Sequence, residues 1–358
     1  MERVTAEKEF MEKCYNPLFQ SWLQEVTEQY GTEFKQNETR FVMCMKQFLD
    51  AVSKLQQQAD FPLSVITCSI LWTSLLEGAP AILLEAYTGA PFVQDPVIGE
   101  RVPTPWLFYR WKDFVDTLSQ KCGEMGLGTY IRAPEIQAKA IQAARSIIFL
   151  YWIAAKAHLR QVPELPVWNS INKGPLFCIT LGEYMEHQFG LLGEREEVDL
   201  ALLEPNSSAR FAKFEDKVFR NQKFEGLILS DTVFRRCVFQ SVRFLACPLN
   251  DAQFIDCTFE QCIFSDLSLM GTEFNATRLT DISFEHIWSE AGQSQEQWDF
   301  LSAGHVSFTN CLLERVYFRS AELRGAKIDN CQFIKLHSLE SDLCASLQAQ
   351  VVEESEGT

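Results

Sequence analysis

Residues 214–284 read FEDKVFRNQKFEGLILSDTVFRRCVFQSVRFLACPLNDAQFIDCTFEQCIFSDLSLMGTEFNATRLTDISF. Every fifth residue is Phe or Leu: Phe214, Phe219, Phe224, Leu229, Phe234, Phe239, Phe244, Leu249, Phe254, Phe259, Phe264, Leu269, Phe274, Leu279 and Phe284. A step of twenty sharpens the pattern. Phe214, Phe234, Phe254 and Phe274 fall in one column, and Phe224, Phe244, Phe264 and Phe284 in another. A third holds Leu229, Leu249 and Leu269, and the fourth reads Phe219, Phe239, Phe259, Leu279. Helices repeat every 3.6 residues and strands every two, so neither produces a period of five. A square coil does: each side is one pentad, each coil takes four, and like residues stack along the axis.

The position two residues before each central one also points inward in such a coil. It holds Ala212, Thr232, Cys237, Val242, Cys247, Ala252, Cys257, Cys262, Leu267, Thr272, Thr277 and Ile282, all small or apolar as a narrow interior requires. Lys217 and Gln222 break the rule in the first coil, which predicts a frayed or covered N-terminal end. The central series stops after Phe284 and resumes as Phe308, Leu313, Phe318, Leu323, Ile328 and Phe333. The step from 284 to 308 is no multiple of five, so the spacing predicts an insertion at 287–305. Just over five coils at about 4.8 Å each make a rod roughly 25 Å long. Each coil packs only on its neighbours, so both ends need covers. Leu339, Leu343 and Leu347 give 335–351 a helical look, and this segment is expected to cap the C-terminal end. The acidic tail at 352–358 is expected to be disordered.

These residues resemble the pentapeptide-repeat family, whose consensus is Ala-(Asp/Asn)-Leu-x-x. The resemblance covers 211–333, about a third of the chain. It implies a right-handed quadrilateral parallel β-helix with a turn at every corner. This sequence departs from the family by favouring Phe at the centre. It also places Asp or Asn mostly at the fifth position: Asp216, Asn221, Asp231, Asp251, Asp256, Asp266 and Asp281. Some members of the family are DNA mimics that bind and protect DNA gyrase, and some are secreted bacterial effectors with host partners.

Residues 1–205 show no pentads. Phe41, Met45, Phe48, Val52 and Leu55 form an amphipathic helical stripe. Pro105 is expected to start a helix over 106–121, and Pro134 another that ends before Pro163. The Pro- and Gly-rich stretch 87–105 reads as a long loop, and 169–204 as a short helix with a connector. The apolar runs 61–76 and 147–155 are too short to span a membrane and read as buried core helices. The expected fold is thus α + β with two domains: an all-α domain at 1–205 and the β-helix at 206–334.

The whole chain has 358 residues, with 48 acidic against 32 basic and a net charge of −16. That disfavours a nucleic-acid backbone or an anionic membrane as the main partner. The β-helix region, 210–340, accounts for only −4 of it, with 18 acidic and 14 basic residues. Twelve cysteines in a chain this long are too sparse for a disulfide scaffold, and the charged N-terminus lacks a signal-peptide core, so a reducing cytoplasm is the expected setting.

Six of these cysteines, Cys237, Cys247, Cys257, Cys262, Cys311 and Cys331, occupy inward positions and read as core fillers. Cys237 and Cys257 lie one coil apart, as do Cys311 and Cys331, at a stacked spacing of about 5 Å that falls within disulfide range, but in a reducing cytoplasm they are expected to remain thiols. No Cys-x-x-Cys pair points to zinc. His158, His187, His286, His305 and His337 are scattered, with His286 and His305 bracketing the insertion. Glu183, Glu186 and Glu194 read as a solvated helix face in preference to an acid–base set. The aromatic run Trp106, Phe108, Tyr109, Trp111 and Phe114 reads as core in preference to a ligand groove. No catalytic, cofactor or metal site is expected.

Trp288, Trp298 and Phe300 in the insertion are the candidate partner-binding residues, because irregular loops on rigid scaffolds carry function. The composite expectation is a non-enzymatic protein-interaction scaffold without cofactor, with a homodimer possible.

Overall fold

The computed structural model describes residues 2–289 and 304–351. The chain divides into two compact units, Met1–Gly193 and Glu194–Thr358. Among the described residues no helix is long and apolar enough to cross a membrane.

The first unit opens with helices α1 (Arg3–Phe10), α2 (Asn16–Thr32) and α3 (Phe34–Gln56), with one π-helical turn at Met11–Tyr15. The expected stripe is in place: Phe41, Met45, Phe48 and Val52 of α3 are buried. Strand β1 (Leu63–Ile70), helix α4 (Trp72–Leu76), β2 (Ala81–Tyr87) and β3 (Ile98–Pro103) follow. Then come α5 (Trp111–Glu124), α6 (Ala133–Ser146), α7 (Ile148–Leu159), α8 (Pro166–Ser170), β4 (Lys173–Glu183) and β5 (Gln188–Arg195). The sheet order is β3-β2-β1-β4-β5, with β1 antiparallel to β2 and parallel to β4.

This sheet corrects the all-α expectation: the helices are present, but they share the unit with five strands. The run 61–76, expected as a core helix, is β1 and α4. Central strand β1 is buried on both faces, with Ile66, Cys68 and Ile70 on one and Thr67 and Ser69 on the other. A strand covered twice loses its polar alternation and reads as a continuous apolar run. The expected loop 87–105 contains β3, and the expected helix-and-connector at 169–204 is the β4–β5 pair. The helix expected from Pro105 starts at Trp111, because Arg110 adopts a left-handed φ of 52° that no helix continues through. The helix expected from Pro134 to Pro163 is two, α6 and α7, broken at Ile147 with φ −97° and ψ −2°.

The second unit is the coil stack. Short strands recur at Lys213–Glu215, Val233–Arg235, Gln253–Ile255, Glu273–Asn275, Ser307–Thr309 and Lys327–Asp329, and pair parallel, each with the next. Their register joins Phe214, Phe234, Phe254, Phe274, Phe308 and Ile328. The rings in this column stack at 4.9, 5.0, 5.0 and 4.9 Å between centroids. The last of those steps, Phe274 to Phe308, crosses the insertion without a break. A second column stacks Phe219, Phe239 and Phe259, and a third Phe244, Phe264, Phe284 and Phe318.

The expected insertion starts too early at 287. Ile287 and Trp288 still belong to strand Arg278–Trp288, in register with Leu267 and Ser268, and Ile287 is buried.

The fifth position of each pentad is the corner. Asp216, Asn221, Asp231, Asp251, Asp256, Asp266 and Asp281 all have φ between 51° and 61°. Asn and Asp tolerate that left-handed conformation better than other side-chain-bearing residues. Asp and Asn therefore suit the corner, although Arg236, Ala246 and Gln261 adopt the same conformation at theirs.

Both ends are covered in part. Leu200 is buried against the first coil, with Val198 and Leu203 beside it, and Lys217 turns outward to Glu197 at 2.5 Å. At the other end the expected helical cap over 335–351 is mostly another coil. Strands Gln332–Leu339 and Asp342–Leu343 continue the ladder, and only α9 (Ala345–Gln348) is helical, burying Leu347. Ile328 and Phe333, expected in the core, are only partly buried there. The tail at 352–358 lies outside the described residues.

Candidate protein-binding surface

Inward positions in the middle of the rod are buried and hydrogen-bonded. The thiols of Cys237, Cys257 and Cys262 donate to the carbonyls of Phe214, Phe234 and Phe239, the central residues one coil below. Thr277 does the same toward Phe254 at 3.0 Å. Cys and Thr share this position, and each of these side chains donates to that carbonyl, a role that reading Cys as filler overlooked.

The residues expected as core or as a solvated helix face are placed unevenly: Phe108, Trp111 and Phe114 are buried, Tyr109 is exposed, and Glu183 and Glu194 lie on strands and not on a helix. Trp111 and Phe114 pack on Trp22, and the Trp111 indole donates to the Leu75 carbonyl at 2.9 Å. Glu183 accepts from the Trp72 indole at 2.6 Å and pairs with Arg145, as does Glu186. Glu194 faces Lys213. His286 faces Asp266 at 3.7 Å, whereas His305 lies against Gly325. Among the described residues no three His, Cys, Asp or Glu side chains gather as metal ligands.

Outward positions are mostly polar; Val218 and Ile228 are exceptions in the first coil, and a larger group lies in the later coils. Trp288 is 43% exposed, Tyr317 45%, Ile334 46% and Leu339 56%. Tyr317 stacks on His337 at 4.6 Å with an 8° tilt, one coil apart on the same face. Leu339 lies on that face beside Arg319, and Trp288 begins the next face against Glu322. The strand bearing Tyr317 is anchored from within by the Phe284–Phe318 stack.

Of the sequence candidates, Trp288 belongs to this surface, and Trp298 and Phe300 lie outside the described residues. Tyr317, Ile334, His337 and Leu339 were missed. The available signal was an apolar or aromatic residue at an outward pentad position, where this chain otherwise favours polar ones.

Acidic corners are met by arginines. Arg236 lies against Asp216 at 2.8 Å and Glu215 at 2.6 Å, Arg315 against Asp281 at 2.5 Å, and Arg210 against Asp231 at 2.6 Å. The neighbouring guanidinium holds the Asp216 and Asp281 carboxyls below their usual range.

Residues 247–285 and 304–335 match the family model of pentapeptide repeats, in eight copies. Residues 206–264 also match the model of the SV2A/B/C luminal domain. None of the curated proteins compared with the sequence matches it. Among solved structures the chain is similar to a pentapeptide repeat protein (Rfr23) of the cyanobacterium Cyanothece 51142. The identity is 10%, over 38% of this chain and 90% of that one, with a TM-score of 0.23. It is similar to QnrB1, a plasmid-mediated fluoroquinolone resistance protein, at 12% identity over 36% and 73% of the two chains, TM-score 0.19. HetL of Nostoc sp. strain PCC 7120, a pentapeptide repeat protein involved in heterocyst differentiation regulation, shows 13% identity over 37% and 88%, TM-score 0.13. The coils of the second unit are pentapeptide repeats, built as a general repeat scaffold.

Proposed function

We propose that the protein is a non-enzymatic protein-binding scaffold, and that its partner docks on the last coils around Trp288, Tyr317, His337 and Leu339. The observation that carries this reading is the exposed aromatic and aliphatic surface on a rod whose other outward positions are mainly polar. Aromatic side chains on a preorganised support are the usual energetic anchors of protein interfaces. Trp298 and Phe300 remain proposed partner-binding residues on the sequence alone. We place the protein in a reducing, cytoplasmic setting, in keeping with cysteines too sparse in a long chain for a disulfide scaffold.

The DNA-mimic alternative draws less support. It needs a continuous acidic surface, whereas Arg236, Arg315 and Arg210 neutralise corner carboxylates along this rod.

Affinity capture from a host lysate tests the proposal. Full-length protein is compared with the Tyr317→Ser/Leu339→Ser variant and with a control, Gln253→Ser, on another face. A partner retained by the control and lost by the double variant supports the reading. Equal capture by all three, or a partner dependent only on the first unit, contradicts it. Topoisomerase subunits lost from the control as well would favour the DNA-mimic reading.

A further inference from the structure

One inward column reads Cys237, Cys257, Thr277, Cys311 and Cys331, a step of one coil at a time. It contains two stacked thiol pairs of similar local geometry and different surroundings. Cys237 and Cys257 sit mid-rod. Their strands pair with coils on both sides, and both residues are essentially inaccessible, at 0% and 1%. Cys311 and Cys331 sit at the end. Cys311 is 2% exposed, but Cys331 is only partly buried.

The strands flanking Cys331, Lys327–Asp329 and Gln332–Leu339, pair with the coil below. Above them the described chain adds only the Leu336–Val351 bridge, on the third side of the coil. The Cys311 backbone N–H donates to the Cys331 sulfur at 3.4 Å. Both sulfurs point the same way, to the carbonyls of Phe274 and Phe308. In-register parallel strands hold such Cα atoms about 4.8 Å apart, inside the 4.4–6.8 Å span that a disulfide bridges.

We propose that Cys331 is a peroxide-reactive thiol and Cys311 its resolving partner, forming a disulfide that ties the last full coil to the one beneath. The Cys331 thiolate attacks a hydroperoxide. The O–O bond breaks, one oxygen joins sulfur as a sulfenic acid, and hydroxide (or alkoxide) leaves. The Cys311 sulfur then displaces that oxygen. The S–S bond forms, the S–O bond breaks, and hydroxide departs with the Cys311 proton as water. Two thiols are oxidised and the peroxide is reduced.

The neighbouring Cys311 side chain, with the Cys311 backbone N–H, brings Cys331 down to about 7, and the Cys331 sulfur with burial pushes Cys311 up. Cys237 is likewise brought to about 7 by Cys257. Acidity therefore does not separate the pairs. Access and freedom to close do, and both favour the end pair. The joined strands carry Tyr317, His337 and Leu339. A link to docking rests on the proposed function, whereas the thiol chemistry stands without it.

Full-length protein is treated with hydrogen peroxide near neutral pH, alkylated and digested with trypsin. The peptides 279–315 and 328–335 each contain one cysteine, Cys311 and Cys331. The expected product joins them with loss of two hydrogens, while Cys237 and Cys257 are recovered as alkylated thiols. Cys331→Ser removes the product. Cys311→Thr copies Thr277 of the same column and keeps a donor for the Phe274 carbonyl. It leaves Cys331 as a sulfenic acid that dimedone traps. A Cys331 no more reactive than Cys237, or one oxidised without ever linking to Cys311, overturns the proposal. Neither result depends on finding a partner protein.

Discussion

Phe239 and Phe177 are both fully buried rings, one in each unit, and they are held in different ways. Phe239 has an identical ring one coil away on either side, Phe219 at 4.9 Å and Phe259 at 4.4 Å. Phe177 of β4 meets Trp168 of α8 edge-on at 5.5 Å, beside a strand, β1, from about 110 residues earlier in the chain. The rod is a one-dimensional stack in which each coil depends on two neighbours. The first unit is a three-dimensional core in which one residue answers to several distant segments.

The largest test of this contrast is in the stack. Phe239→Ala removes a ring from between two others and should cost about 3–5 kcal/mol. Hydrogen exchange should show the loss concentrated in the coils on either side, with the first unit unchanged. Loss of protection throughout both units would break the comparison.

The first unit carries its own signature. His158 of α7 is 1% exposed and packs among Tyr30, Phe34 and Phe41, with its Nε2 2.9 Å from the Tyr30 hydroxyl. Burial lowers it from 6.5 to about 4, partly opposed by Glu38. Between those pH values the unfolded chain binds a proton that the folded one does not. Stability is therefore whole above pH 6.5 and falls as the pH drops from 6.5 to 4, by roughly 3 kcal/mol. His158→Gln should flatten that slope in the first unit. A slope that persists in the variant would assign the pH dependence elsewhere.

A smaller effect sharpens the reading of the corners. Asp256 has φ 54°. Asp256→Val puts a β-branched residue in a left-handed conformation and should cost about 1–2 kcal/mol, whereas Asp256→Gly should be tolerated. Equal denaturation midpoints for the two variants would remove the backbone explanation of the acidic fifth position. Smallest of all is Arg236→Gln. The ion pair with Asp216 is exposed, and its loss should leave the thermal midpoint within measurement error.

The same contrast explains what the sequence revealed. The rod's interior is set by a five-residue step, so each pentad carries its own evidence, and Phe274 and Phe308 could be placed on either side of a gap. Strand β1 carries no such local mark, because covering both its faces erased the alternation that would separate it from a helix. The polar edge strand β3 read as loop because its exposed residues, Gly99, Glu100 and Arg101, follow no apolar pattern. The candidate surface was half legible. Trp288 was visible because it lies where the five-residue series breaks off. Tyr317, His337 and Leu339 were hidden inside a regular repeat, where only their outward phase marks them.

The most direct test of a binding role for that surface is site-specific photo-crosslinking in the host cell. A photoreactive phenylalanine analogue replaces Tyr317 in one version of the full-length protein and Arg235, on another face, in a second. The account predicts a discrete adduct with one protein from position 317 and none from position 235. Adducts from 235 alone, or no adduct from either position, would contradict it.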